Sequence, residues 1–377
     1  MDGVWTIEPG VAVGPFRLGD SIAEVLHALK SRLPVRPLEI IYDSLEPFKA
    51  PVLIDSPEDG LKLRLDPITQ VLTRIEFFEV NKVPLKYGRV VIFGGDVAAT
   101  FMSIYNLFGP TFPGSFDPDQ QSYFLGYDGA CFRFPIPAEY VHLYRDKNDL
   151  PLEFPNGTTP AATQVMVFVG NNHLDPKLPT FRRRHYYEET VAEIGDKSVV
   201  VKFKSRKQQI ELGWSPQEVM SEIGAPVSVF RKHEDPDDAS RINGGCIGDY
   251  FHNYPHLGID VMYNSLHAAA KIILKTNALG HPEFGSYQKC NYRLCFLTSP
   301  ALQKTGMKKV RIPEISPETP WKDIQKLFGG GSDDRPIVRD NGLGLHPFGS
   351  TLCYTPVQGC TFEVMKNGFV ASVTLST

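Results

Sequence analysis

The chain has 377 residues, of which 42% are hydrophobic and 22% charged, a composition typical of a soluble globular protein with two or three domains. Its formal net charge of −4 argues against a dedicated nucleic-acid-binding protein, because such proteins carry an excess of basic residues. We therefore expect no nucleic-acid partner. The 31 prolines, 32 glycines and 24 phenylalanines predict more strand than helix, since long helices favour Ala, Glu and Lys.

The first ten residues, MDGVWTIEPG, lack the basic and apolar regions of a signal peptide. No apolar run approaches the ~20 residues of a membrane-spanning helix. The cysteines lie mostly in apolar strand patterns without metal-ligand spacing; they are Cys131, Cys246, Cys290, Cys295, Cys353 and Cys360. These features predict a reduced cytoplasmic protein with structural thiols and no metal or cofactor.

The first predicted element is a short amphipathic helix. Apolar residues recur at helical spacing over 22–29, behind Asp20 or Ser21 as the N-cap residue. Alternating apolar residues over 61–65 and 71–77 then predict antiparallel strands.

A second helix is predicted within 95–108, where apolar residues recur at the same spacing until Gly109 and Pro110 end the helix. Apolar runs within 123–134 and over 165–169 predict the strands that follow it.

A basic stretch with aromatic neighbours follows in the middle of the chain, around an apolar run at 199–203 that predicts a strand. Guanidinium groups donate paired hydrogen bonds to phosphate, and neighbouring tyrosines suit a membrane interface. The candidate patch for an anionic lipid or an acidic partner consists of Arg182, Arg183, Arg184, Lys197, Lys202, Lys204, Arg206 and Lys207. The alternative is a set of solvated edge-strand cations that prevent aggregation.

Two further helices are predicted in the second half. Ser215 caps the third, Glu218 completes its capping box, and 224–226 ends it, while the fourth is predicted over 321–328. Strand patterns follow both helices. They lie at 250–254, 259–263, 272–274, 352–354, 362–364 and 369–375.

One order of elements recurs in these four segments, namely a helix, a turn and two or three antiparallel strands. The sequence therefore predicts an α+β fold of tandem repeats, in which one helix covers one face of a short meander. We expect a pair of units at 1–175, a basic connector or edge segment at 176–207, and a second pair at 208–377. The pattern over 213–226 resembles the small modules of outer-membrane assembly lipoproteins and β-lactamase inhibitors.

Motifs that carry chemistry are missing from the chain, which has no Walker loop, nucleophile elbow or zinc-protease motif. His252 and His256 are predicted to lie on one strand as a partly exposed pair, too far apart to share a metal. The glycines at 329–331 are expected to end a helix, and the aspartates within 235–238 to belong to a solvated loop. We therefore expect no enzyme, and aromatic residues that are mostly core.

The C-terminal segment carries a specific resemblance. It begins with the signature residues His346, Pro347, Phe348, Gly349, Ser350 and Thr351. With 362–365 and 371–375, this segment closely resembles the end of the phagosome assembly factor family. Further matches follow the family's order at Gly60–Leu63, Val83, Leu85–Tyr87, Asp249–Phe251, Asn253, Tyr254, Leu257–Asp260, His281 and Pro282.

The resemblance implies a non-enzymatic adaptor in early autophagy. Animal members of this family act with a WD-repeat β-propeller protein at the phagophore assembly site, with phosphoinositide binding attributed mainly to the propeller. The alternatives are a protein that itself binds phosphoinositides or anionic membranes through the basic stretch, a Golgi-associated trafficking factor, and a hydrolase with its site between units.

Overall fold

The computed structural model describes residues 3–31, 34–95, 97–111, 113–144, 150–179, 188–195, 198–231, 249–297, 314–328, 335–339 and 349–376. The chain forms two compact units, Met1–Phe181 and Arg182–Thr377. Strand accounts for 41% of the structure and helix for 13%, which confirms the predicted excess of strand. None of the helices in the described residues has the length and apolar character needed to cross a bilayer.

The first unit contains short helices between groups of strands. Its helices are α1 (Ile22–Lys30), α2 (Phe101–Phe108) and α3 (Val141–Tyr144), with a 3-10 helix at Pro57–Asp59. Its strands are β1 (Trp5–Glu8), β2 (Ala12–Val13), β3 (Phe16–Arg17), β4 (Glu39–Ile41), β5 (Val52–Ser56), β6 (Leu61–Leu65), β7 (Leu72–Phe77), β8 (Leu85–Tyr87), β9 (Val90–Phe93), β10 (Ser115–Asp117), β11 (Ser122–Tyr127), β12 (Ala130–Pro135) and β13 (Gln164–Phe168).

These strands form two sheets. The smaller has the order β3-β2-β1-β8-β9, in which β1 and β8 run parallel. The larger has the order β10-β11-β12-β13-β7-β6-β5-β4. Four described strands of this sheet follow α1 and four follow α2, whereas two or three were predicted after each helix. The last strands of these two groups, β7 and β13, pair antiparallel at the centre of the sheet.

The second unit has helices α4 (Pro216–Ile223) and α5 (Trp321–Leu327) in its described part. Its strands are β14 (Glu189–Ile194), β15 (Val199–Phe203), β16 (Gln208–Glu211), β17 (Ser228–Arg231), β18 (Tyr250–Tyr254), β19 (Ile259–Tyr263), β20 (Ala269–Lys275), β21 (Asn291–Phe296), β22 (Ile337–Arg339), β23 (Thr351–Val357), β24 (Cys360–Val364) and β25 (Val370–Ser376).

The order of pairing in the second unit parallels that of the first. A four-stranded sheet, β16-β15-β14-β21, contains the parallel pair β14 and β21. An eight-stranded antiparallel sheet has the order β17-β18-β19-β20-β25-β24-β23-β22, so the last strands of its two groups, β20 and β25, again pair at the centre. Strands β14 and β15 lie within 176–207, the stretch predicted as a connector or edge segment.

The core of the second unit lies between its large sheet and a layer formed by the helices and the small sheet. Val219 of α4, Ile324 of α5 and Val201 of β15 belong to the same buried cluster as Val261 of β19 and Phe362 of β24. Burying one such side chain contributes about 1.5–3 kcal/mol. Since strand residues alternate between faces, the residues between these core positions point to the opposite face of the large sheet.

The N-cap residues predicted from the sequence agree with the observed helix starts in α1 and α4. Ser21 and Ser215 are the N-cap residues of α1 and α4, as predicted; α4 has the predicted capping box with Glu218, and α1 has one as well, with Glu24. The second helix begins later than 95, at α2 with Thr100 as its cap, because Gly94 and Gly95 have positive φ angles that a helix does not allow.

The histidines at 252 and 256 and the buried cysteines differ in how far the structure agrees with their predicted roles. The prediction of a partly exposed histidine pair on one strand was wrong, because His252 is buried and β18 ends at Tyr254, before His256. Pro255 follows, and proline lacks the N–H that a strand ladder needs. Burial raises the pKa of Cys131 and Cys290 to about 12, so these thiols stay protonated. The predicted solvated loop at 235–238 and the predicted helix end at 329–331 lie outside the described residues.

Candidate functional site

A network of buried polar side chains lies on the large sheet of the second unit, on the face opposite its core. Glu363 in β24 is its centre. The flanking residues Phe362 and Val364 belong to the core, so alternation places Glu363 on the other face, where it is only 3% exposed. A buried carboxylate is costly unless hydrogen bonds and opposite charges compensate it.

Four side chains from four different parts of the unit compensate Glu363. Its Oε1 accepts a 2.7 Å hydrogen bond from the Thr351 hydroxyl and lies 3.4 Å from His281 Nε2. Its Oε2 accepts from the Ser372 hydroxyl at 2.7 Å and from Arg339 Nη1 at 3.1 Å. Both oxygens are therefore occupied by two donors each.

The protonation states in this network follow from its geometry. Burial by itself raises the pKa of Glu363, but the donors from His281, Arg339, Ser372 and Thr351 outweigh it and hold that pKa far below its usual range. His281 Nδ1 accepts the backbone N–H of Glu283 at 3.2 Å, so the proton of a neutral His281 lies on Nε2 and is donated to Glu363. An ionised Glu363 is thus satisfied in part by the N–H of His281.

A second buried cluster adjoins the first on the same face. Lys275, the register partner of Ser372, lies 3.6 Å from Asp260 Oδ2 and 2.6 Å from Glu283 Oε2. Asp260 Oδ1 also accepts 2.8 Å hydrogen bonds from the Tyr287 hydroxyl and from the Asn253 side-chain amide. The two clusters form a continuous row of polar groups across β18, β19, β20, β25 and β24.

The chain between β20 and β21, which we call the covering segment (276–290), is fixed to this face by the two clusters. It contributes His281 to Glu363, Glu283 to Lys275 and Tyr287 to Asp260. Its first residue, Thr276, donates to the backbone carbonyls of the 370–371 strand residues at 2.8 Å. The polar network therefore ties a long connection to the sheet at several separate points, which limits its movement.

The first unit has a related but smaller arrangement. Glu76 of β7 is buried on the same face as a small apolar cluster that includes its register partner Met166. It accepts from the Gln164 side-chain amide and pairs with Arg74 at 2.9 Å. Arg74 Nη1 also donates to the carbonyl of His173 at 2.9 Å, and Arg64 reaches the carbonyl of Leu174. Here too a carboxylate on the sheet helps to fix the segment that follows the last strand of a group.

The two edges of the second unit's large sheet expose apolar side chains. All residues of β17 and β22 are exposed, including Val229 (53%), Phe230 (56%), Ile337 (73%) and Val338 (62%). Among the described strands, β17 pairs only with β18 and β22 only with β23. Natural proteins usually protect such edges with charges, bulges or proline, so exposed apolar edges favour pairing with another chain.

The described half of the predicted basic patch is balanced by acidic neighbours. Lys202 pairs with Glu193 at 2.7 Å and Lys204 with Glu189 at 2.6 Å. Arg206 Nε lies 3.6 Å from a carboxylate oxygen of residue 188, and Lys207 has a positive φ angle in the turn between β15 and β16. These pairs favour the interpretation of solvated edge-strand cations over that of a patch with excess positive charge.

The other basic candidates, at 182–184 and 197, lie outside the described residues, and the anionic-lipid site remains a prediction. The described residues hold no group of three or more His, Cys, Asp or Glu side chains arranged to bind a metal. The signature segment is described from Gly349 onwards, and its first three residues, at 346–348, lie outside the described part. Of the signature residues, Thr351 reaches Glu363.

Comparison with known proteins identifies the family. The model of a family described as phagosome assembly factor 1 matches residues 12–376. The chain belongs to the phagosome assembly factor 1 family. A PHAF1 protein of Arabidopsis thaliana is 34% identical over 393 residues, covering 99% of this chain and 92% of that protein. A PHAF1 protein of Drosophila melanogaster is 27% identical, covering 98% and 93%. No solved structure is significantly similar to the chain.

The polar network was not predicted from the sequence, although four of its residues lie in segments noted for a family resemblance. His281, Thr351, Glu363 and Ser372 all belong to segments that resemble the phagosome assembly factor family, and the structure brings them together. Arg339 was missed, because nothing in a short exposed strand indicates a partner 24 residues away.

Proposed function

We propose that this protein is a non-enzymatic adaptor in early autophagy that binds a WD-repeat β-propeller partner at the phagophore assembly site. Its membership in the phagosome assembly factor 1 family supports a role in assembling phagosomes. The WD-repeat partner and the phagophore assembly site are what the resemblance of the sequence to this family implies. The structure adds a surface suited to such a partner.

The exposed apolar edges of the second unit are the observation that carries the proposal. Val229 and Phe230 on β17 combine apolar side chains with a backbone edge that no described strand occupies. A partner can add a strand to such an edge, with main-chain hydrogen bonds giving affinity and side-chain contacts giving specificity. Phe230 supplies the kind of aromatic anchor that dominates protein interfaces.

The polar network supports binding without catalysis. A general acid or base needs access to substrate and a pKa near the working pH. Glu363 is buried, its two oxygens are both occupied, and its pKa lies far below neutrality. Such a carboxylate stabilises the face and the covering segment and does not exchange protons with a substrate.

The four helix-and-strand segments are, in this proposal, related modules of a scaffold. Helices α1, α2, α4 and α5 each precede four described strands of a large sheet, and each large sheet joins two groups through their last strands. Repeated modules of this kind build extended surfaces with several edges, which suits an adaptor.

The test is complementation of cells that lack this gene, scored by the formation of phagophores under starvation. We expect wild type to restore it and the Phe230→Glu variant to fail, since a charge at an interface anchor weakens binding by about 30-fold or more. Leu266→Glu is the matched control, because Leu266 is an 82% exposed apolar residue of the same unit outside both edges. Full restoration by Phe230→Glu would contradict the proposal.

A further inference from the structure

We propose that the first unit binds a small amphipathic anion, with an aromatic body and one acidic group, in a cavity of about 760 Å³ beside β11. This volume lies in the range of about 300–1,000 Å³ found for small-molecule sites. The cavity lies on the face of the large sheet opposite α2, between the sheet and residues 110–111, 113–115 and 170–177.

Its floor contains a glycine inside a strand. Gly126 lies on β11 opposite Cys131 of β12, on the same face as Phe124. A Cβ added at Gly126 would meet no atom within 4 Å, so the missing side chain leaves space that the fold itself does not fill. Glycine weakens a strand interior and often marks a place where a ligand approaches the backbone.

Aromatic groups form the walls. The ring of His173 stacks on Phe124 with centroids 4.8 Å apart, whereas the ring of Tyr127 lies on the other face of the sheet, against Phe108 of α2. Burial, assisted by the nearby Arg74, lowers the pKa of His173, so its ring is neutral at pH 7. These surfaces suit an uncharged aromatic ring.

Hydrogen bonds hold both walls in place before any ligand arrives. The hydroxyl of Thr111 donates to the Gly126 carbonyl at 2.6 Å, and the N–H of Gly114 donates to the Tyr123 hydroxyl at 2.8 Å. On the other side, the N–H of Lys177 donates to the carbonyl of residue 169 at 3.0 Å. A preformed site avoids the ordering cost that otherwise reduces affinity.

The charge of the ligand follows from Lys177. Its side chain lies beside Gly170 at the cavity, and its ammonium group forms no ion pair with any residue that the structure describes. Asp128, the other charged lining residue, lies exposed at the tip of the β11–β12 hairpin. A ligand whose carboxylate, sulfonate or phosphate group pairs with Lys177, and whose aromatic ring lies over Gly126, uses both the ammonium group and the open space above the glycine.

The experiment compares two fluorescent probes of the same ring framework on the full-length chain. These are 8-anilinonaphthalene-1-sulfonate, which is anionic, and N-phenyl-1-naphthylamine, which is neutral. We expect saturable binding of the sulfonate, weakened about tenfold by Gly126→Met, which fills the floor, and about fivefold by Lys177→Gln. Lys177→Gln should leave the neutral probe unchanged, and Asp128→Asn should not weaken the sulfonate.

Gly3→Met is the control for Gly126→Met, because a Cβ at Gly3 also meets no atom within 4 Å and Gly3 does not line the cavity. The site is overturned if Gly126→Met binds the sulfonate as wild type does, or if wild type shows no saturable binding. The anionic class is overturned if Lys177→Gln leaves sulfonate affinity unchanged or if Asp128→Asn reduces it.

Discussion

Replacing Glu363 with glutamine is expected to lower the free energy of unfolding of the second unit by about 3 kcal/mol, as when one partner of a buried ion pair is removed. The glutamine amide places a donor where Ser372, Thr351, His281 or Arg339 also donates. The measurement is urea unfolding followed by tryptophan fluorescence. In a Trp5→Phe background the remaining tryptophans, Trp214 and Trp321, both report on the second unit.

Glu193→Gln is the matched control. Its pair with Lys202 is half-exposed, so its loss is expected to cost about 0.5 kcal/mol or less. If both variants lowered the free energy of unfolding equally, the buried network would have no special role in this unit.

The difference between wild type and Glu363→Gln should also depend on pH. Because the pKa of Glu363 is lowered in the folded state, its contribution is fully present above the unfolded value of about 4.3. It is lost as the pH falls below that value toward the folded-state pKa. We therefore expect a constant difference near neutral pH that shrinks below about pH 4.3.

Replacing Gly258 with alanine is expected to have a similarly large effect, about 3 kcal/mol. Gly258 has a φ of +69°, and a Cβ there would lie 2.4 Å from the Gln288 carbonyl oxygen and 2.7 Å from the Cys290 nitrogen. These atoms are backbone of the covering segment, so relief requires that segment to move away from the sheet. The same fluorescence measurement applies.

Gly368→Ala separates the two causes. Gly368 has a φ of +81°, but a Cβ there meets nothing within 4 Å. The Gly368→Ala variant therefore loses only the free energy needed to hold alanine in the left-handed region, about 1 kcal/mol. Equal losses for the two variants would mean that close contact between the covering segment and Gly258 does not matter.

The sequence revealed local features of the fold and missed non-local ones. Helices α1 and α4 were predictable because Ser21 and Ser215 are N-cap residues whose capping partners lie only three residues further along the chain. The pairing of β7 with β13, and the parallel pairs β1/β8 and β14/β21, join distant segments. Periodicity shows which face of a strand is apolar, but it does not show which strand lies beside it.

The candidate sites show the same limit. Resemblance selected His281 and Glu363, but only the fold places these residues, 82 positions apart, in contact. In the basic stretch, Lys202 and Lys204 were noticed while the acidic residues of the neighbouring strand were not. Glutamates at 189 and 193, whose even spacing puts them on one face of a strand, were visible in the sequence and could have indicated cross-strand pairs with the lysines.

The most direct test of the adaptor role is photo-crosslinking in living cells, with the photoreactive amino acid p-benzoylphenylalanine at position 230 or, as control, at position 266. Position 230 lies on the exposed edge strand β17, whereas Leu266 is an exposed apolar residue outside it. We predict that position 230 becomes crosslinked to a WD-repeat protein, identified by mass spectrometry, and that position 266 does not. The absence of a WD-repeat protein from the position 230 crosslinks, or equal crosslinking at both positions, would contradict the account.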